Sequence, residues 1–387
     1  MTIAGFEPTE FEQRCARAQA QMVEQGLDAL LLTTEADVRY FTGFLTRFWE
    51  SPTRPWFVIL PPFGKPVAVI PSAGEALMAT CWVSEIRTWP APDLNDDGVS
   101  LLAGTLQELV GERGRIGLPM GHETHLRMPL GDFFRLQDML GPRSWVDATP
   151  ITRGLQMVKS DAEIAIIERA CGIGGLAFEG IAERLEPGVP LSTVFRDFQR
   201  LLLAAGADWV PYLAGGAGPF GYHDVISPAS DRPLAAGDVI MLDTGAVVSG
   251  YFCDFDRNWA IGAPSARLQD AYRVLVDATD AGLAAATIGA EAADVFHAMA
   301  KVITKFADPG AVGRLGHGLG MRLTEWPSLI AEDHTLLEAG MVITLEPAVM
   351  VGPSTMLVLE ENIAIEVDGP RLLTPRAPSS LPILRAY

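Results

Sequence analysis

The chain has 387 residues, enough for two or three domains and too many for one small module. Apolar residues make up 49% and charged residues 20%, so a sizeable core is available and disorder is not the organising feature. Forty-eight Asp and Glu against 29 Lys and Arg leave a net charge of −19, which repels phosphate backbones and anionic lipid and argues against nucleic acid and membrane as partners.

The N-terminal stretch MTIAGFEPTEFEQR is acidic and lacks the basic and apolar regions of a secretory signal, and no run reaches the roughly 18 apolar residues of a spanning helix. A soluble cytoplasmic protein is expected. Cys15, Cys81, Cys171 and Cys253 are scattered without C-x-x-C spacing and read as small buried hydrophobes.

Residues 9–26 form an amphipathic pattern that predicts a helix, and the apolar run LDALLLTT after Gly26 predicts a buried strand. Further apolar runs at 56–62, 66–71 and 115–119 alternate with helical stretches such as 101–112, so an α/β domain is expected over residues 1–150. The segment 147–159 is the expected link. Ser160 followed by Glu163 is a capping-box signature that starts a long helix. In residues 151–387, helices are expected near 160–185, 190–206, 265–286 and 290–307. The β runs VIMLDTGAVV, YFCDFDRNWAI, MVITLEPAVMV and MLVLEENIAIEV lie between and after them. Strands segregated from helices in this way predict an α+β domain, an antiparallel sheet backed by helices.

Acids interrupt those β runs. A hairpin with a two-residue connection centred on Val248 and Ser249 would set Asp243 directly opposite Asp254, two like charges on one face that need a cation between them. Glu346 and Glu360 sit in the other two apolar runs, where a buried carboxylate again needs a counter-ion. Each alone reads as an ordinary turn or strand-end acid. Together with His317 in the Gly-rich segment GRLGHGLG they read as one metal site, because local rules tend to fail together where function is built. Four carboxylates and one imidazole suit Mn²⁺, Zn²⁺, Co²⁺ or Fe²⁺ rather than a thiolate-seeking ion or Ca²⁺. Four negative charges match two divalent ions, which at a spacing of about 3.5–4 Å share a bridging hydroxide and carry out hydrolysis.

In LDTG, CDFDR, GHGLG, TLEP and VLEEN, these five residues fall in the order Asp, Asp, His, Glu, Glu, and the chain resembles the pita-bread metallohydrolases: aminopeptidase P, prolidase, methionine aminopeptidase and the metal-free creatinase. VRYFTGF at 38–44 and LQMVKSDAEIAIIERA resemble the creatinase/prolidase N-terminal domain and its link, which disfavours the methionine aminopeptidases. The resemblance implies a pita-bread α+β catalytic domain behind a smaller α/β creatinase/prolidase-like N-terminal domain, two divalent ions with Mn²⁺ placed first, and a homodimer. It implies that Asp254 and Glu360 bridge the ions, Asp243 holds one, His317 holds the other, and Glu346 is both ligand and proton shuttle. His223, in GPFGYHDV, matches a histidine that contacts substrate; read alone, it is a loop histidine at a turn.

Two positions depart from the pattern. Thr324 stands at a substrate-facing position where the peptidases carry a histidine, and Val358 stands where proline peptidases often carry an arginine two residues before the last Glu ligand. The expected activity is hydrolysis of a small amide, most simply an Xaa-Pro dipeptide or a short Xaa-Pro-containing peptide. The alternatives are a non-peptidase reaction on an osmolyte-like molecule, by amide or amidine hydrolysis or a lyase step, and an inactive binding module. Among the other features, the aromatic and basic stretch 46–57 reads as a cleft wall or as a loop and interface. His122 and His125 lack a third ligand nearby, His297 reads as structural, and Arg257 is expected to pair with acids near the metals.

Overall fold

A computed structural model describes residues 3–50, 54–306 and 313–385. Its contacts divide the chain into Met1–Gln156 and Met157–Tyr387. The division falls after residue 156, where the sequence expectation was 150; the six intervening residues belong to a helix in the expected link.

In the first unit, α1 (Pro8–Gln25) starts with Pro8 in its first turn and stops at Gly26, whose left-handed φ of 63° closes the helix. There follow β1 (Ala29–Leu32), α2 (Glu35–Thr42), β2 (Phe57–Leu60), β3 (Val67–Pro71), α3 (Glu75–Met78), β4 (Glu85–Trp89), α4 (Val99–Leu109), β5 (Arg115–Leu118), α5 (Leu130–Leu140), β6 (Ser144–Asp147) and α6 (Thr149–Met157). The sheet runs β4-β3-β2-β1-β5-β6, with β1, β2 and β3 antiparallel and the outer pairs parallel. Of its four inner strands, β1, β2 and β3 are wholly apolar and buried, and β5 is so after the exposed Arg115 that starts it, which is why they read as short hydrophobic runs. VRYFTGF lies on α2 and its exit, with Thr34 capping the helix. Of the stretch 46–57, residues 51–53 lie outside the described ones; Trp49 and Trp56, on either side, are buried with ring centroids 6.0 Å apart.

The second unit contains α7 (Asp161–Ala182), α8 (Leu191–Ala205), β7 (Trp209–Gly218), β8 (Val239–Val248), β9 (Tyr251–Phe252), β10 (Phe255–Ile261), α9 (Ala266–Ala285), α10 (Ala292–Ile303), β11 (His317–Gly318), β12 (Glu325–Ser328), β13 (Val342–Leu345), β14 (Ala348–Met350), β15 (Met356–Val358), β16 (Glu361–Glu366), β17 (Gly369–Leu372) and β18 (Ile383–Leu384). Ser160 and Glu163 form the expected capping box on α7. The strands make one sheet β18-β10-β8-β7 with β9 beside β8, and another β12-β11-β13-β16-β17. All pairs are antiparallel except β10 with β18. Helices α9 and α10 supply Leu268, Tyr272, Leu275, Val295 and Met299 to a core shared with Ile343, Leu345, Ile363 and Ile365 of the second sheet. This is the expected α+β catalytic domain.

Among the described residues no helix is long and apolar enough to cross a membrane. The four cysteines are unpaired; Cys15, Cys171 and Cys253 are buried as expected, and Cys81 is half-buried.

Candidate metal centre

Two hairpins build the site. In the first, β8 pairs with β9 and then with β10 in one register, Val247 facing Phe252 and Thr244 facing Phe255. The ladder breaks at Cys253-Asp254. The connection is centred on Ser249-Gly250, both at positive φ, and not on Val248-Ser249. Asp243 therefore stands opposite Asp256, not opposite Asp254 as the sequence suggested. Because the slip is two residues, the strand alternation is unchanged. In the second hairpin, β13 pairs with β16 and β14 with β15, again in one register, Leu345 facing Glu361 and Ala348 facing Val358. This ladder breaks where Glu346-Pro347 faces Leu359-Glu360. Proline has no N–H to give a ladder, so the break is written in the sequence at Pro347.

The breaks release acidic side chains toward one place. Ligand atoms of Asp254, His317 and Glu360, all buried, lie within 4.8 Å of one another. His317 Nε2 is 3.4 Å from Asp254 Oδ2 and 3.6 Å from Glu346 Oε1. Two ligand atoms each about 2.1 Å from a shared ion at tetrahedral angles stand about 3.4 Å apart, so these separations suit a cation. His317 has the form that a metal ligand needs. Its Nδ1–H is placed to donate to the Gly318 carbonyl at 2.8 Å, which leaves Nε2 bearing the lone pair. Burial, with the Arg314 charge nearby, pushes its pKa down to about 4, so the ring is neutral at pH 7.

Burial drives the carboxylates the other way. Asp243 is raised to about 7, partly offset by the Tyr212 hydroxyl beside it. Glu346 is also raised to about 7, with Arg314 easing and Asp243 adding to the shift. Asp254 and Glu360 are pushed well above the ordinary carboxylate range by burial and then by their acidic neighbours. Asp243 Oδ1, Glu346 Oε1 and Glu360 Oε1 are buried with no hydrogen-bond partner. Unsatisfied buried oxygens beside a neutral imidazole are costly in a cation-free site and ordinary in one that holds divalent ions. The donor set therefore fits the expected metals.

Several residues that hold this arrangement were not singled out in the sequence. Asp256 is buried on the face of Asp243, and Asn258 Nδ2 donates to it at 3.2 Å. The D-x-D spacing of 254 and 256 on a strand was the available signal. Asn362 Oδ1 accepts from the Asp254 N–H at 3.0 Å, and its Nδ2 donates to the Asp254 carbonyl. The Thr344 hydroxyl accepts from the His317 N–H at 3.0 Å. Arg257 pairs with Glu361 at 2.9 Å and donates to the Glu360 carbonyl at 3.0 Å, in line with the expectation that it serves the acids.

The remaining named residues lie outside the carboxylate cluster. Thr324 is half-buried at the entrance to β12, beside Glu325, whose carboxylate is 2.9 Å from Lys159 Nζ. His223 is exposed, its Nδ1 2.8 Å from the Ser354 carbonyl, and it lines a cleft of about 590 Å³. His122 and His125 are exposed, and His297 is exposed on α10 with its ring against Phe296.

Comparison with known proteins identifies the family. Residues 165–367 match the model for metallopeptidase family M24, and residues 14–158 match the creatinase/prolidase N-terminal domain. The chain is 28% identical over 371 residues to a probable dipeptidase PepE of Mycobacterium bovis, covering 94% of each chain. It is 27% identical over 357 residues to an Xaa-Pro dipeptidase of Pyrococcus horikoshii, covering 91% of this chain and 94% of that one. The crystal structure of dipeptidase PepE from Mycobacterium ulcerans superposes with a TM-score of 0.83 at 28% identity, over 98% of this chain and 99% of that one.

Proposed function

The chain belongs to metallopeptidase family M24, a family of metal-dependent hydrolases, and on that premise we propose that it is a two-ion peptidase acting on Xaa-Pro dipeptides or short Xaa-Pro-containing peptides. The observation that carries the reading is the set of three buried carboxylate oxygens without partners around a neutral His317. Asp243, Asp254, Glu346, Glu360 and His317 would hold the ions, with Mn²⁺ preferred and Zn²⁺, Co²⁺ or Fe²⁺ as the alternatives. Bound there, a divalent pair supplies a reactive hydroxide near neutral pH and polarises the scissile carbonyl.

The protein's own groups do the rest. Glu346 has the most exposed of the four ligand carboxylates, at 26%, so it is the one placed to take a proton and pass it to the leaving amine. Arg314, 3.7 Å from Glu346, keeps that carboxylate from rising further. His223 and Thr324 would face the substrate. A homodimer acting in the cytoplasm belongs to the same reading; unpaired cysteines suit a reducing compartment.

Thr324 and Val358 favour a second reading, a non-peptide amide or a lyase substrate on the same scaffold. Neither side chain can carry the charge that histidine or arginine would bring to a substrate. An inactive binding module is disfavoured by the complete ligand set.

The test is an assay of the Mn²⁺-loaded protein on Xaa-Pro dipeptides, Xaa-Pro-containing tripeptides and non-peptide amides, with Glu346→Gln in parallel. Turnover of a proline peptide that disappears in the variant is expected. Two bound ions with no turnover of any proline peptide transfers the reading to the second substrate class.

A further inference from the structure

The two-stranded sheet of β14 and β15 has a carboxylate of the candidate site just outside each end, Glu346 before β14 and Glu360 after β15. A two-stranded ribbon is marginal unless its edges are held. Val351 N–H donates to the Thr355 carbonyl at 2.9 Å and Leu359 N–H to the Pro347 carbonyl at 3.2 Å, so the odd-numbered residues bond across the hairpin. Met356 and Val358 therefore turn their backbone groups to the open edge of β15.

Tyr222 and Asn258 close that edge. Met356 and Tyr222 exchange backbone hydrogen bonds at 2.8 and 3.2 Å. The Val358 N–H donates to the Tyr222 hydroxyl at 2.6 Å, and Asn258 Nδ2 donates to the Val358 carbonyl at 2.8 Å. The same hydroxyl donates to Asn258 Oδ1 at 3.1 Å, so the two side chains grip Val358 as one unit. Both are buried, which leaves water no access to replace them. Gly221, with a left-handed φ of 91°, lets the loop come so near that a Cβ there would lie 2.6 Å from the Met356 carbonyl oxygen. The next residue along is His223, whose exposed ring meets the Ser354 carbonyl at the tip of the same hairpin.

We infer that Tyr222 is a positioning residue that couples His223 to the hairpin of Glu346 and Glu360, so that filling the metal centre also places the histidine. This rests on the reading above, in which both glutamates hold ions and His223 faces substrate, and names the residue that links the two. Ions held by both glutamates pin the two ends of the hairpin. Tyr222 follows β15, because it makes three of the four bonds along that edge, and His223 follows Tyr222. Removing the hydroxyl keeps the ring but strands the Val358 N–H and Asn258 Oδ1, so β15 and the loop are free to move separately.

Hydrogen exchange read by mass spectrometry on the full-length protein, metal-stripped and Mn²⁺-loaded, tests the coupling. Mn²⁺ should slow exchange in residues 220–226 about tenfold in the parent protein, together with residues 345–361. In Tyr222→Phe the hairpin should still respond, and the loop should respond less than about twofold. Asn258→Ala breaks the same grip from β10 and should do likewise, which covers the case of a Tyr222 variant that does not fold. A merely structural tyrosine lowers protection with and without Mn²⁺ alike; a loop ratio unchanged in both variants, or a parent loop indifferent to Mn²⁺, overturns the proposal. On Ala-Pro, Tyr222→Phe should cost about tenfold in kcat/KM in the parent protein and less than about twofold in His223→Ala, because it acts through the histidine. Equal costs in the two backgrounds overturn that role. No turnover of any peptide, with loop exchange still tied to Mn²⁺ through Tyr222, sinks the peptidase reading and upholds the coupling.

Discussion

The side-chain amide of Asn362 engages both backbone polar groups of Asp254, accepting from its N–H and donating to its carbonyl. Asp254 lies at the break of the first hairpin and Asn362 at the start of β16 in the second. Arg257 of the first hairpin reaches back to the Glu360 carbonyl of the second. Each hairpin thus satisfies the backbone that the other leaves open where its ladder is interrupted, and both interruptions carry carboxylates of the proposed metal centre.

Asn362→Ala should weaken divalent binding about 10–100-fold, the effect expected when a partner outside the ligand set is lost. It leaves two buried backbone groups unpaired, at about 1–3 kcal/mol each. Competition with a fluorescent chelator measures the affinity; an unchanged constant in a folded variant removes Asn362 from the account.

The metal-stripped protein should lose stability as pH rises. In the fold Asp243 and Glu346 keep protons up to about pH 7, whereas the unfolded chain releases them near 4. Between these values the folded state binds more protons, so the contribution is complete below about pH 4 and fades through pH 7. Asp254 and Glu360 act in the same direction. His317, lowered to about 4, acts oppositely between 4 and 6.5, one group against four. Thermal unfolding in EDTA should give a lower Tm at pH 7.5 than at pH 5, and Mn²⁺ should reverse that order. A Tm in EDTA that rises over this range contradicts the assignment.

Lys159 and Glu325 form a buried pair, with side chains 1% and 6% exposed, that ties the start of the catalytic domain to the turn carrying Thr324. Lys159→Met should cost about 3–5 kcal/mol by stranding the Glu325 charge, and adding Glu325→Leu should recover most of it. Urea unfolding of the two variants decides this; a single variant as stable as the parent protein would show that the pair is dispensable.

Gly320 approaches Glu325 so closely that a Cβ would lie 2.6 Å from its carboxylate. Gly320→Ala should therefore shift this turn and raise KM more than it lowers kcat. A lowered kcat with KM intact places the turn's contribution in the chemical step instead.

Much of this was legible in the sequence because the signals were local. The Ser160-Glu163 capping box, the helical periods of α8 to α10 and the acids interrupting β runs each need only neighbouring residues. The register of the first hairpin was missed by two residues because Val248-Ser249 and Ser249-Gly250 both make plausible connections, and only the positive φ of Ser249 and Gly250 selects the second. β7 was not recognised, since its Ala- and Gly-rich end lacks the β-branched residues that mark a strand. The link was given no secondary structure, but Pro150 falls in the first turn of α6, where proline is tolerated. Asn362 carried no signal at all, because its partner is 108 residues away.

The most direct measurement is the anomalous scattering of a crystal soaked with Mn²⁺, read together with metal content in solution. The account predicts two ions per chain, about 3.5–4 Å apart, with Asp243, Asp254, His317, Glu346 and Glu360 as their protein ligands. A single ion, or a soaked site in which those oxygens are met only by Arg314 and water, contradicts it.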